Sequence, residues 1–164
     1  MPNQFVVATS DASNNVMASS VSELLRDART LLDMDIAFVS EFSEGQRFIR
    51  RVDQAANSTG MIQEGMSNPL EETYCQRVVD GRLPLAIPDT QLLPEANNLK
   101  ITETLKIRAY LAAPISFSDG QIFGTLCCIS HRPRTALGNR QTDALRIIAE
   151  RVAIELQKNL ARVK

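Results

Sequence analysis

The residues best suited to covalent or metal chemistry in this sequence are three cysteines, Cys75, Cys127 and Cys128, and one histidine, His131. The cysteines are odd in number and lack CxxC spacing, which argues against a disulfide scaffold and against a structural zinc site. No Ser-His-Asp set can be assembled around this histidine, and no phosphate-binding glycine-rich loop or carboxylate pair in an acid–base context is present. These patterns predict a protein that is not an enzyme and holds no metal.

The thiols allow two interpretations. Cys75 is expected on the inward side of a short helix, where a cysteine acts either as a small apolar core residue or as a redox or covalent sensor. Adjacent residues of a strand point to opposite faces, so Cys127 and Cys128 are expected to be separate core residues and not a reactive pair. His131 precedes Arg132-Pro133 at a strand exit and is expected to face solvent.

A second group of residues has the polar tips that a mostly apolar pocket needs to orient a ligand. Tyr74, Arg108 and Tyr110 are of this kind, although each could instead be a hydrogen-bonded core tyrosine or a solvated arginine at a strand start. Asp89, after Pro88, would either contact ligand or cap the following turn. The residues expected to line a ligand site are Tyr74, Cys75, Val78, Ile87, Asp89, Arg108, Tyr110 and Cys128.

Composition and charge indicate one ordinary globular domain. The chain has 164 residues, of which 44% are hydrophobic and 23% charged, so it can bury a continuous core. A count of 18 Lys and Arg against 19 Asp and Glu gives a net charge of −1, which predicts neither a nucleic-acid partner nor a membrane partner. No apolar run approaches the ~20 residues of a membrane span, and the first residues lack a signal-peptide pattern, which favours the cytoplasm. Residues 1–19 are expected to form a flexible tail and residues 20–161 a single domain.

Hydrophobic periodicity predicts the elements of the first half of the chain. Apolar residues at helical spacing after a capping box predict a helix over residues 20–33. Asp35–Ser43 and Gln46–Asp53 have the pattern of a hairpin, and Gln54–Ser67 has the composition of a loop.

The middle of the chain is expected to cover one face of the sheet. A helix is predicted over residues 69–80, with Asn68 as its cap and Asp80-Gly81 as its stop signal. Pro84–Ile87 is predicted to be a short strand. Thr90–Lys106 has only a weak helical pattern and is expected to wrap over the sheet.

The last third contains the clearest hairpin and the longest helix. An Asp-Gly turn separates two predicted strands, Arg108–Phe117 and Gln121–Ser130. Apolar residues occupy both the odd and the even positions of each strand, which predicts a sheet covered on two faces. A helix of about 24 residues opens at Asn139 and has two apolar stripes. The stripe expected to pack on the sheet comprises Leu145, Ile148, Ala149, Val152, Leu156 and Leu160. The second stripe, at the spacing of seven that is typical of a helix–helix seam, comprises Ile147, Ile154 and Ala161.

These elements predict an α+β fold with a central antiparallel sheet of five or six strands. The terminal helices would lie on one face, and short helices and loops would lie over a ligand pocket on the other. Four segments, in this order, resemble a GAF domain of the bacterial signalling type. They are LEETYCQRVVDGRLP from Leu70, Ile87-Pro-Asp, Ala113-Pro-Ile115 and SDGQIFGTLCCI from Ser118. The resemblance spans about residues 20–160 and implies a cavity between the sheet and the middle segment. It also implies a neighbouring kinase, cyclic-dinucleotide or transcription-factor output module.

The residues that specialised members of that family use for their chemistry have no counterparts in this sequence. Cys75 is followed by Gln76 and not by the histidine that accompanies a bilin-attaching cysteine. The Asn-Lys-Phe-Asp-Glu signature of cyclic-nucleotide members is absent, and the only histidine that could ligate haem is His131. Family members that reduce free methionine sulfoxide use cysteines in a segment that corresponds to residues 82–106, which contain none here. The cofactor is therefore left unassigned.

Three functions stay open from the sequence. The favoured one is a sensory module that binds an unidentified small molecule, dimerises and couples to an output module in signal transduction. The alternatives are a thiol enzyme similar to free methionine sulfoxide reductases and a dimerisation scaffold without a ligand. The dimer is expected to be a parallel or near-parallel homodimer, in which the terminal helices cover the second stripe around a two-fold axis.

Overall fold

Six antiparallel strands form the centre of the molecule, which the computed structural model describes for residues 11–58 and 60–163. The strands are β1 (Ile36–Ser43), β2 (Gln46–Gln54), β3 (Ser67–Pro69), β4 (Ala86–Ile87), β5 (Ala109–Ser116) and β6 (Ile122–Ser130). Their spatial order is β3-β2-β1-β6-β5-β4. The hairpins β1–β2 and β5–β6 therefore lie side by side, and the two shortest strands form the edges. The predicted α+β fold is confirmed.

Both hairpins contain an irregularity that changes their pairing. Glu44 and Gly45 adopt φ of 53° and 76°, the left-handed values that suit a tight hairpin turn. The β1–β2 register then shifts between Val39 and Ser40, and the β5–β6 register shifts between Ile115 and Ser116. Because cross-strand partners share a face, each shift decides which side chains face which layer.

Two long helices cover one face of the sheet. α1 spans Asp11–Leu32, so it begins before the predicted start at residue 20; the segment 11–19 contains neither proline nor glycine to stop a helix. Residues 1–10 of the predicted tail lie outside the described residues. α5 spans Asn139–Val163, as predicted. Within the described residues, no helix is long and apolar enough to cross a membrane.

Within the described part of the chain, five short helical segments lie on the opposite face of the sheet and together form the layer called the cover here. They are a 3-10 turn at Leu70–Glu72, α2 (Tyr74–Val79), a 3-10 turn at Thr90–Leu92, α3 (Pro94–Asn97) and α4 (Lys100–Thr104). The single helix predicted over residues 69–80 is therefore wrong. Asn68 and Pro69 belong to the edge strand β3, where a proline is tolerated, and Asn68 does not cap a helix. The stop at Asp80-Gly81 is confirmed, because Gly81 has a φ of 83°.

The sheet separates two apolar cores. On the helix side, Leu25, Ala28, Leu145 and Val152 pack against inward-facing strand residues such as Leu126. On the other side, the short helical segments pack against the alternate strand residues. The principal members of this second core are Ile36, Phe38, Ile49, Tyr74, Cys75, Ile87, Ile101, Tyr110, Cys127 and Ile129. The sheet is thus covered on both faces, as the two-parity pattern predicts.

Candidate functional site

The chemically richest part of the second core lies where α2 rests on the middle strands. α2 begins after Thr73 and presents Tyr74, Cys75 and Val78 to the sheet, all of them buried. Below them, β5 contributes Tyr110 and β6 contributes Cys127. The alternation of the strands and the single turn of α2 bring together residues that are far apart in sequence.

Sulfur and hydroxyl groups contact one another directly in this cluster. The Sγ atoms of Cys75 and Cys127 are 3.7 Å apart. The Tyr110 hydroxyl lies 3.1 Å from Cys127 Sγ and 3.7 Å from Cys75 Sγ. The Thr125 hydroxyl lies 3.1 Å from Cys127 Sγ and hydrogen-bonds to the Ser40 hydroxyl at 2.7 Å. All five side chains are buried, so the sulfurs are held in a closed polar network.

A buried cation completes the cluster. The Arg47 side chain on β2 is 4% exposed. Its Nη1 donates to Cys75 Sγ at 3.7 Å, and its Nη2 donates to Asn68 Oδ1 at 2.7 Å. Its guanidinium lies 5.6 Å from the centre of the Phe38 ring, and its Nε has no hydrogen-bond partner among the described residues. A buried guanidinium strongly favours an anion nearby.

The two thiols respond to this environment in opposite ways. Burial opposes ionisation of Cys75, but the hydrogen bond with Cys127 and the charge of Arg47 together lower its pKa well below the usual value. Burial and the neighbouring Cys75 raise the pKa of Cys127 well above the usual value. Ionisation is therefore easier at Cys75, next to Arg47, than at Cys127.

The two tyrosines use their polar tips within the protein. The rings of Tyr74 and Tyr110 are tilted at 59° with centroids 4.7 Å apart. The Tyr74 hydroxyl contacts the Thr102 hydroxyl and donates to the Ala96 carbonyl oxygen at 3.3 Å, and burial raises the pKa of Tyr74 to about 12. Both tyrosines are thus core residues: Tyr74 links α2 to α3 and α4, and Tyr110 links β5 to α2. Where the sequence predicts the wall of an enclosed or semi-enclosed cavity, the described side chains pack against one another.

Three other predicted site residues lie toward the β4 edge. Ile87 is buried on β4 and pairs with Tyr110. Asp89 caps the following 3-10 turn by accepting from the Gln91 amide at 3.0 Å. It also pairs with Arg108, whose Nη2 lies 3.3 Å away. The turn-capping interpretation of Asp89 is therefore confirmed, and Arg108 is half-buried in an ion pair, not simply solvated.

Two sequence-based expectations need correction. Cys128 lies in the core under the terminal helices, so its expected place beside Tyr74 and Cys75 is wrong and Cys127 occupies it. The register shift in the β5–β6 hairpin is the reason, because it pairs Tyr110 with Ile129 and not with Cys128. His131 is not fully solvent-facing either: it is half-buried, and its Nδ1 lies 3.0 Å from the Lys106 carbonyl oxygen.

Arg47 and Cys127 were missed as members of the site. Arg47 has the same parity as the apolar Ile49 on the same strand, which is the signal that could have placed it inward. The face of the sheet on which Cys127 lies depends on the pairing register of β5 and β6. A turn sequence alone does not reveal that register when a bulge follows the turn.

Three surface grooves among the described residues lie outside this cluster, and one of about 500 Å³ is bordered by the end of α1 and the start of α5. A groove of about 740 Å³ runs between the terminal helices, and its walls include Leu24, Ile147 and Ile154. The side chains of Ile147 and Ile154 are 60% and 51% exposed. A smaller groove of about 260 Å³ lies beside β4, and its lining includes Ile87, Asp89 and Leu92.

Comparison with known proteins assigns the family. The model of the GAF domain matches residues 18–156. The chain belongs to the GAF family. A curated relative, diguanylate cyclase DgcP of Escherichia coli strain K12, is 26% identical over 155 residues, which cover 93% of this chain and 43% of that protein. The cyclic di-GMP phosphodiesterase PA2567 of Pseudomonas aeruginosa PAO1 is 25% identical over 131 residues, 79% of this chain and 21% of that protein. The chain spans less than half the length of these relatives.

Solved GAF domains share the fold. The blue-light-absorbing form of the PixJ GAF domain of Thermosynechococcus elongatus superposes with a TM-score of 0.72. The two are 20% identical, and the match covers 91% of this chain and 89% of that one. At this identity, the similarity shows a common fold and leaves the ligand of this GAF domain open.

Proposed function

We propose that this GAF domain is a cytoplasmic, non-catalytic regulatory module that dimerises through its terminal helices. It would pass a signal from a bound small molecule to an output domain of the diguanylate cyclase or phosphodiesterase type. The kind of output rests on the two curated relatives, in each of which a region like this chain occupies less than half of the protein. Movement of the long helix α5 would carry the signal, because that helix packs against both α1 and the sheet.

The observation that carries the proposal is the exposed second stripe of α5. Ile147 and Ile154 lie seven residues apart and are more than half exposed in the groove beside α1, although a helix that rests on a sheet needs only one apolar stripe. The groove also contains acidic Glu23 and Asp27 and basic Arg151 and Lys158. Such a mixed surface can complement a second copy of itself around a two-fold axis. The side chain of Ala161 lies outside the described part of the chain.

Sedimentation velocity of an Ile147→Glu, Ile154→Glu variant tests the dimer. Two buried carboxylates per subunit would break the seam, so we expect a folded monomer where the unmodified chain is a dimer at tens of micromolar. Leu31→Glu is the matched control, because Leu31 is 68% exposed on α1 but does not line this groove. A monomeric unmodified chain, or a dimeric double variant, would contradict the interface.

For the ligand, we propose the groove beside β4 as the site. It combines apolar walls with the carboxylate of Asp89, which suits a small, mainly apolar molecule with one hydrogen-bond donor. Native mass spectrometry of the purified protein is expected to show an added small-molecule mass that Leu92→Glu removes and that the dimer-interface variant retains. An added mass that persists in Leu92→Glu would locate the ligand elsewhere.

The absence of catalysis is tested with free methionine sulfoxide and a dithiol reductant. We expect no turnover, because all three cysteines are buried where a zwitterionic amino acid does not reach them, and Cys128 is separated from the other two by the sheet. Turnover that disappears in Cys75→Ser would favour the thiol-enzyme alternative.

A further inference from the structure

Cys75 and Cys127 form a chemical pair that the proposed function does not use. Their sulfurs are 3.7 Å apart and belong to different layers, the cover and the sheet. A disulfide needs about 2.05 Å between sulfurs, so each would move by less than about 1 Å. We propose that Cys75 and Cys127 are a reversible redox site that closes to a disulfide when the protein meets a small peroxide. The site requires neither the dimer nor a bound ligand.

The surroundings assign different roles to the two sulfurs. Arg47 donates to Cys75 at 3.7 Å and shares no hydrogen bond with Cys127, so the thiolate, which is the reacting form, is stabilised at Cys75. Cys127 remains a thiol and contacts the hydroxyls of Tyr110 and Thr125 at 3.1 Å each. Cys75 is therefore the attacking sulfur and Cys127 the resolving sulfur. The adjacent guanidinium also disfavours a metal cation between the two sulfurs.

The reaction balances with hydrogen peroxide as the oxidant. The Cys75 sulfur attacks one peroxide oxygen, an S–O bond forms, the O–O bond breaks, and the leaving hydroxide takes the proton released by the thiol to become water. The Cys127 sulfur then attacks the Cys75 sulfur, the S–S bond forms, and the S–O bond breaks. The leaving hydroxide takes the Cys127 proton as a second water. Two electrons pass from the sulfurs to the peroxide, and a dithiol returns them by exchange.

Access to the buried sulfurs is through the cover. α2 and its neighbours are helices of three to six residues, and such short segments open locally at less cost in free energy than the central strands. Peroxide is small and uncharged, so brief opening of this layer admits it. Cys128 lies beneath the long terminal helices on the opposite face, and it is expected to react far more slowly.

Closure of the disulfide would change the electrostatics of the edge of the sheet. It removes the ionisable thiol that faces Arg47, so the buried guanidinium can no longer pair with a thiolate there. Arg47 also donates to Asn68 of β3 at 2.7 Å, so its displacement would loosen the β2–β3 edge. Oxidation would thereby alter a segment that contains neither cysteine.

The first experiment exposes the full chain to hydrogen peroxide, alkylates the remaining thiols, and maps the peptides by mass spectrometry without reduction. The expected result is a Cys75–Cys127 cross-linked peptide, with Cys128 alkylated only after unfolding, and full reversal by dithiothreitol. Hydrogen exchange should then be faster at the amides of residues 67 and 68 in the oxidised protein. Cys128→Ala is the control and should form the same cross-link. Two free thiols at Cys75 and Cys127 after peroxide treatment would overturn the proposal.

The second experiment separates the roles of the sulfurs. In Cys127→Ser, a dimedone adduct of sulfenic acid should form at Cys75, whereas in Cys75→Ser no adduct should form at Cys127 at a comparable rate. Arg47→Met replaces the guanidinium with a shorter, unbranched and uncharged side chain and should slow cross-linking at least about tenfold, which corresponds to one pKa unit of the Cys75 thiol. Circular dichroism establishes that each variant is folded before it is scored. An unchanged rate in folded Arg47→Met, or preferential labelling of Cys127, would overturn the assignment.

Discussion

At the scale of single residues, the three cysteines differ in how their environments treat a negative charge. Burial raises the pKa of Cys128 to about 12, against a small opposing effect of Arg29. Burial also opposes ionisation of Cys75, but Cys127 and Arg47 outweigh it and the pKa of Cys75 falls. Ionisation is therefore favoured at Cys75 on one face of the sheet and disfavoured at Cys128 on the other. As the pH changes, these two thiols are expected to have opposite effects on the free energy of unfolding.

The first prediction concerns alkaline unfolding. Between pH 9 and 12 the folded protein keeps Cys128 protonated while the unfolded chain releases that proton, so the free energy of unfolding falls as the pH rises. Cys128→Ala should be less stable than the unmodified chain near pH 7 by about 1 kcal/mol, owing to lost packing. Above pH 9 the difference should shrink by about 1.4 kcal/mol per pH unit. Urea unfolding at several pH values measures this.

Cys75→Ala is the contrasting variant in that experiment. The lowered pKa of Cys75 contributes stability that is fully present above the pKa of the unfolded thiol and is lost as the pH falls through the folded pKa. Removal of this thiol should therefore destabilise the protein more at high pH than at low pH. If the free energies of unfolding of the two variants changed with pH in the same way, the pKa values of the two thiols would not be shifted in opposite directions.

At the scale of elements, the approach of β1 to β6 depends on a glycine. A Cβ atom built on Gly124 would lie 1.9 Å from the Ser40 carbonyl oxygen and 3.0 Å from Glu41 Cα. These are backbone atoms of the neighbouring strand, so they can move only if the two strands separate. The close contact lies beside the bulge at Val39 and Ser40, where the strands bring Thr125 into the polar cluster.

The second prediction is that Gly124→Ala lowers the free energy of unfolding by about 3 kcal/mol or more, because overpacking against backbone cannot relax through side-chain rotation. Gly138→Ala is the control, since its nearest neighbour would be Gln141 Oε1 at 3.9 Å. Urea unfolding midpoints compare the two. A change of less than about 0.5 kcal/mol in Gly124→Ala would mean that the strands adjust freely.

The element scale is also where the sequence was most informative. Both long hairpins could be predicted, because Glu44-Gly45 and Asp119-Gly120 are local turn signals between apolar strands. The face of Cys128 could not be predicted, since one bulge at Ile115 and Ser116 reverses the parity that the turn implies.

The residues of the site that are brought together by tertiary contacts could not be predicted from local sequence patterns either. The predicted helix over 69–80 failed because its first residues pair with β2 as an edge strand. Arg47 is buried because it meets Cys75 and Asn68. Helical and strand periodicities describe single elements and have no information on such distant partners.

At the scale of the whole molecule, dimerisation and stability should be coupled. If Ile147 and Ile154 are covered by a second copy, only the folded state gains that interface, and mass action then stabilises it at higher concentration. The third prediction is an apparent Tm that rises by several degrees from about 1 to about 100 micromolar, as expected when association is linked to folding. The double Glu variant should have a Tm that does not depend on concentration, and differential scanning fluorimetry measures both.

The antiparallel contact of α1 and α5 has a consequence for protein engineering. Residues 20–27 of α1 share a groove with residues 147–158 of α5, and residues 31–33 share another with residues 140–144. The start of the first helix and the end of the last therefore lie at one pole of the molecule. A domain whose first helix starts near the end of its last helix can be inserted into a surface loop of a host enzyme without forcing the host apart. Peroxide-dependent activity of such a chimera would make the fold a transplantable biosensor.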